Sequence, residues 1–329
     1  MRRVLGVVLA ALAAVLLLTA LLLPTFVAPR LLQAPLDQYS RTVSEAENAT
    51  YLDVGELEVK QGRTLVATRT VRGDVEAGSR STAVYDVLVF IADPAKPGTG
   101  EDQLVSASTD RVAFERHTSE AVNCCDENLN GDPVEHEGIE YKFPFRTEQR
   151  TYQYFDTSIG EATDMEFQAE EEIDGLNTYR FQQVIDPRKI AELDVPGSLV
   201  GSDEQSLTLG RYYSVTRTVW VEPASGVIVR GQEQQLSTLR DDSGFDLLTI
   251  TEADLTFNDE TVSAQVEVAQ DARSQVVLVS QTLPLAAGGV GLVLLGLAVV
   301  LSRMSAAPTA GRRRADRTDR TDTDEHTPV

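Results

Sequence analysis

The chain has 329 residues, enough for about two domains of ordinary size. It is 42% hydrophobic and 24% charged, with a net charge of −22 and a pI near 4.5, which excludes global disorder and makes nucleic acid a poor partner. Two cysteines cannot build a disulfide scaffold or a four-cysteine zinc site, and three histidines leave little for histidine-based catalysis.

The first element is an apolar helix. Val4 to Leu23 is a run of 20 residues without a charge, long enough to cross a bilayer core. It is longer than the apolar region of a signal peptide, and no small-x-small cleavage site follows directly, so residues 1–29 read as an uncleaved signal anchor. Asn48-Ala49-Thr50 is a glycosylation sequon, a tripeptide common by chance.

Residues 30–273 read as β-rich. Apolar and polar residues alternate in TLVATRTVR (64–72), AVYDVLVFIA (83–92), NTYRFQQVI (177–185) and SVTRTVWVEP (214–223), and again over 226–239 and 246–257. Val, Ile, Thr, Tyr and Phe are concentrated there, as strands prefer, with Gly and Pro clusters between them. The expected fold class is mostly β with some α: curved or half-barrel antiparallel sheet held between two transmembrane helices. DRVAFERHTSEAVN (110–123) resembles RTVWVEPASGVIVR (217–230); the likeness fits either two unrelated hairpins or a repeat of two β-lobes. Residues 259–275 carry a helical stripe through Val262, Val266 and Ala269, with Asn258 as its N-cap.

A second apolar stretch, Val276 to Leu301, contains Gln281 and Pro284 but no charge, and residues 274–302 read as a second transmembrane helix that Pro284 kinks near its outer end. Residues 303–329 mix Arg, Asp and Thr in the manner of a disordered cytoplasmic tail. Arg2 and Arg3 precede the first helix; Arg303 and Arg312–Arg314 follow the second. Basic flanks stay in the cytoplasm, so both termini are expected inside and residues 30–273 outside the plasma membrane. That outer segment holds 21 Lys+Arg against 46 Asp+Glu.

The residues able to carry chemistry cluster in NCCDENLNGDPVEHEG, 123–138. Cys124 and Cys125 can form a vicinal disulfide, pair between chains, or remain thiols. Asp126, Asn128, Asn130, Asp132 and Glu137 follow a calcium-loop spacing with Gly131 at its turn, so Ca2+ is a candidate ligand. Pro133 and strand-like flanks depart from an EF-hand, and an Asn/Asp/Gly-rich turn accounts for the same residues. Glu170–Glu172 with Asp174 read as a solvated acidic loop rather than a glycosidase pair, and His117 and His136 have no metal-ligand spacing around them. GSLVG (197–201) is not a nucleophile elbow. Trp220, the sole tryptophan, sits mid-strand as a core or cavity-lining candidate.

Several motifs resemble the actinobacterial membrane proteins of the porin PorA family. They are VAPRLLQAPLDQ (27–38), ATYLD (49–53), VATRTVRGDV (66–75), AVNCCDENLNGDPVEHEGIEYKFPF (121–145), TYQYFDT (151–157), VPGSLVG (195–201) and RYYSVTRTVWVEPASGVIV (211–229). The resemblance implies an envelope protein with the same two-helix topology. It also implies an association with lipoglycan assembly or, by the family's name, a pore; it carries over no catalytic residue. The hairpin WVEPASGVIV is also similar to hairpins in the curved sheets of bacterial lipoprotein-carrier and lipid-binding folds. The expected function is therefore non-enzymatic binding of lipid or lipid-linked glycan, as an accessory to envelope glycosyltransferases. An oligomeric pore is the alternative, and a glycan-modifying enzyme a more distant one.

Overall fold

The computed structural model describes residues 2–305; of the tail expected to be disordered, residues 303–305 continue the last helix, and residues 306–329, with Arg312–Arg314, lie outside the described residues. Twelve strands form one antiparallel sheet. They are β1 (Tyr39–Asp53), β2 (Glu58–Gly73), β3 (Thr82–Ala92), β4 (Leu104–Glu115), β5 (Asn128–Leu129), β6 (Asp132–Pro133), β7 (Tyr152–Asp156), β8 (Glu161–Ile173), β9 (Leu176–Pro196), β10 (Ser206–Glu222), β11 (Val227–Arg240) and β12 (Asp246–Phe257). Their order is β6-β5-β4-β3-β2-β1-β12-β11-β10-β9-β8-β7. The sheet is thus two six-strand meanders in chain order, joined where β1 pairs with β12.

Local chemistry sets the hairpins. Between β8 and β9, Asp174 and Gly175 both take positive φ (48° and 79°), the conformation a two-residue hairpin needs to match strand twist. Asp174 therefore belongs to a turn. Glu115 and Glu222 each cap the turn that follows them with their own carboxylate: Glu115 accepts from the His117 and Thr118 amides, Glu222 from those of Ala224 and Ser225. The two stretches that resemble one another in sequence thus share a capped acidic turn. The first leads only to a single bridge, Phe114–Ala121; the second leads into the full β10–β11 ladder.

The outer strands do not pair with each other to close a ring. Single bridges instead relay from β4 to β7: Phe114 with Ala121, Glu120 with Ile139, and Ile139 with Tyr154. Under this relay lies the most aromatic core. Phe143, fully buried, packs on Tyr152 and Phe181 at centroid distances of 5.2 and 4.8 Å, with Ile139, Tyr154, Met165, Val219 and Val221 around it. Gly226, at φ 75°, lets the β10–β11 turn approach this segment; a Cβ there would stand 2.1 Å from the Phe143 carbonyl oxygen.

The helices flank the sheet in sequence. The first runs as α1 (Arg2–Leu22), a π-helical turn at Leu23–Val27, and α2 (Ala28–Leu31). The last runs as α3 (Asp259–Val277), a π-helical turn at Leu278–Thr282, and α4 (Leu283–Ser305). Asn258 caps α3, its side chain accepting from the Thr261 amide. Pro24 lies within the first π turn and Pro284 two residues beyond the second; each proline removes a helical hydrogen bond, and a wider turn absorbs the defect. Both helices are long and apolar enough to span a membrane. The fold is thus mostly β, with an apolar helix before the sheet and another after it in sequence.

The described residues divide into two compact units, residues 22–283 and a unit that holds the rest of α1 and α4. Within the helical unit α1 and α4 pack antiparallel: a Cβ on Gly6 would meet Ala298, one on Gly291 would meet Leu17 and Ala13, and one on Gly288 would meet Ala20. That register puts the start of α1 and the end of α4 on the same side of the pair.

Candidate functional site: a lined cavity and a buried histidine cluster

A cavity of ≈ 1020 Å³ occupies the 22–283 unit. Strand periodicity builds its wall, since side chains two apart share a face. Leu65, Ala67, Arg69 and Val71 of β2 line it, with Arg211, Tyr213, Arg217 and Val219 of β10, and Leu255 and Phe257 of β12. Helix α3 adds Gln265, Val268, Asp271, Ala272 and Gln275. Most of the wall is aliphatic or aromatic. Exposed Leu31 and Val54 are lining residues too, so the cavity reaches solvent.

Its charged lining departs from the rest of the domain. Arg69, Lys142, Arg211 and Arg217 face it against only Glu233 and Asp271, although residues 30–273 carry 21 cations to 46 anions. Arg217 is nearly buried and holds the polar strip together: Nη2 donates to Asp156 at 2.9 Å, Nε to Glu233 at 3.0 Å, and Nη1 to Gln183. Arg69 Nη2 reaches the same Glu233 oxygen at 3.5 Å, while its Nε is buried without a hydrogen-bond partner. Burial works against the Glu233 carboxylate, but the two guanidinium groups outweigh it and bring its pKa down to about 2. Lys142 donates to the carbonyls of Phe143 and Ser225 at 2.7 and 2.9 Å, and burial lowers its pKa to about 7.

Of the sequence-derived site residues, Asn130 alone lines this cavity. Cys124 and Cys125 are joined by a vicinal disulfide, and Arg111 Nε donates to the Cys125 carbonyl at 3.1 Å. Residues 128–133 form the short β5–β6 hairpin on β4. In it Asn128 Oδ1 accepts from the Gly131 amide and Asn130 Oδ1 from the Thr109 amide, so both asparagine oxygens serve backbone. Asp126, Asp132 and Glu137 do not gather with one another, in contrast to a second group among the described residues: Asp110, His136 and Glu140. Trp220 is not a cavity-lining residue. It packs with Leu176, Val229, Val266 and Ala269, and its indole donates to Glu171 at 2.6 Å, while its neighbour Val219 faces the cavity.

The Asp110–His136–Glu140 group was not legible in sequence, because Asp110 stands on β4 and the other two on an irregular segment. His136 is 1% exposed. Its Nδ1 meets Glu127 Oε2 at 2.7 Å and its Nε2 meets Asp110 Oδ1 at 3.0 Å. Burial opposes the imidazolium, but these hydrogen bonds prevail and raise its pKa to about 9. Glu140 Oε2 lies 3.7 Å from Nε2 and has no hydrogen-bond partner. Tyr141 donates its hydroxyl to the other oxygen of Asp110 at 2.6 Å. The i,i+4 pair His136 and Glu140 is the one sequence signal that could have found this group.

Together these features define a class: a cavity-bearing antiparallel β domain with an apolar helix of membrane-spanning length before it and another after it in sequence. The chain belongs to the Porin PorA family, whose sequence pattern matches residues 5–300. A "Porin PorA" of Corynebacterium resistens is 26% identical over 96% of this chain and 99% of its own length. A "Porin PorA" of Corynebacterium amycolatum is 27% identical over 71% of this chain and 77% of its own.

Proposed function

We propose that the protein is a non-catalytic component of the cell envelope that binds an amphipathic lipid or lipid-linked glycan in the cavity of its β domain. The domain stands on the outer face of the plasma membrane, and the role is accessory to lipoglycan or envelope assembly. The observation that carries this is the ≈ 1020 Å³ cavity, with its apolar wall and cation-rich polar strip. A lipid chain matches the apolar wall, and a polar or anionic head group matches Arg69, Arg211 and Arg217. Anchoring beside the membrane raises the effective concentration of a membrane substrate without a need for high affinity. Native mass spectrometry of the full chain from detergent, with organic extraction of the same sample, tests it. A stoichiometric lipid adduct supports the reading; a lipid-free mass from several mild detergents removes it.

The family's name favours a second reading, a pore. Two apolar helices per chain would require an oligomer to surround a channel. Use of the sheet as the membrane-spanning element is opposed by its bridged, unpaired outer strands and by the 67 charges among residues 30–273. Single-channel recording in planar bilayers separates the two: stepwise conductance from the purified chain would favour the pore.

A further inference from the structure

We propose that Asp110, His136 and Glu140 form a binding site for a divalent first-row transition ion, of which zinc is the simplest fit. The three donor atoms all lie within 4.8 Å of one another. Ligands at about 2.0–2.1 Å from a tetrahedral ion stand roughly 3.3 Å apart. The observed separations from His136 Nε2, 3.0 Å to Asp110 and 3.7 Å to Glu140, bracket that spacing. One imidazole nitrogen with two carboxylate oxygens is a borderline donor set, which suits zinc better than calcium or magnesium.

The surroundings are built for a ligand. Glu127 holds His136 from behind: its Oε2 accepts from Nδ1, while its Oε1 accepts from the Ala113 and Cys124 amides at 3.1 and 3.3 Å. This orients Nε2 toward Asp110 and Glu140, the arrangement a carboxylate behind a ligating histidine normally provides. A donor count makes the same point. One imidazole has two N–H positions, and Glu127 and Asp110 use both; the third carboxylate, Glu140, is left with Oε2 buried and unpartnered beside Nε2. A buried carboxyl oxygen left without a partner is costly, and a cation at the common point would satisfy all three carboxyl groups at once. A small polar pocket of ≈ 40 Å³ adjoins Asp110, Glu140 and Tyr141, room for a water as the fourth ligand.

The site's position gives the ion a role. Asp110 lies on β4, while His136 and Glu140 flank the segment whose Ile139 bridges to β7. Where strand pairing fails to close the sheet, an ion here fastens β4 to the segment that bridges to β7. It would act as a structural staple, not a reaction centre.

The experiment uses the full chain in detergent, stripped with EDTA, then titrated with Zn2+ against a chromogenic chelator, with metal content and thermal unfolding read on the same sample. One zinc per chain and a higher melting temperature are expected. Glu140→Gln and Asp110→Asn should weaken binding more than about tenfold and abolish the thermal shift, and Glu127→Gln should weaken it about 10–100-fold. Glu140→Gln keeps the size of the side chain and cannot ionise, so its metal-free melting temperature should equal or exceed that of the wild type; this separates lost ligation from lost folding. A wild type that takes up no zinc and shows no shift overturns the proposal. So does zinc uptake that all three variants retain, which would place the ion elsewhere, for example at His326 of the tail.

Discussion

Glu222 shows how much one side chain decides at the end of a strand. It is 2% exposed, and its carboxylate accepts from the Ala224 amide at 3.1 Å, the Ser225 amide at 2.8 Å and the Ser225 hydroxyl at 2.6 Å. Glu222→Gln puts an amide nitrogen against donors, and the loss should be about 1–3 kcal/mol, read as a lower melting temperature. The matching Glu115→Gln should cost less, because that turn is more open to solvent. Glu233 makes a different prediction. Its pKa is depressed in the folded state, from an ordinary 4.5 to about 2, so its stabilising contribution is complete above about pH 4.5. The contribution is lost as the pH falls through about 2. The gap in melting temperature between wild type and Glu233→Gln should therefore be constant from pH 7 to 5 and shrink below about pH 4. A gap that stays level to pH 3 would mean the Arg69 and Arg217 pairings contribute nothing.

At the scale of elements, the alternating stretches became strands because Val, Thr and Tyr at period two bury one face. β2 follows that alternation from Leu65 to Val71 and β10 from Tyr213 to Arg217, beyond which both faces of β10 are buried through Glu222. The cap of α3 and the turn at Asp174–Gly175 are equally local, and equally legible. The close approach at Gly226 is not. Gly226→Ala should destabilise by more than about 1 kcal/mol, since it adds a left-handed strain to a 2.1 Å clash with Phe143. Gly244→Ala shares the positive φ but has open space around it, so it should cost less; equal effects would refute the clash.

For the whole molecule, the cavity is the feature to perturb. Gln235 lines it and sits on β11. Gln235→Trp should reduce co-purifying lipid by about half or more with little change in melting temperature, since it fills space without removing a core contact. Unchanged lipid occupancy would place the ligand outside the cavity.

Composition, run length and periodicity are local properties, and they were enough to determine the two apolar helices, the β-rich middle and the α3 cap. They were not enough to place the histidine cluster or the cation-rich strip. Asp110 and His136 are 26 positions apart, and Arg69 and Glu233 are 164 apart, so each meeting depends on register across several strands. A calcium-loop spacing could likewise be read in residues 126–137, but only the fold assigned the oxygens of Asn128 and Asn130 to backbone amides, because the segment pairs with β4. Trp220 and Val219 make the contrast most simply. The alternation showed that they lie on opposite faces, and only the curvature of the sheet and the placement of α3 decided which face encloses the cavity.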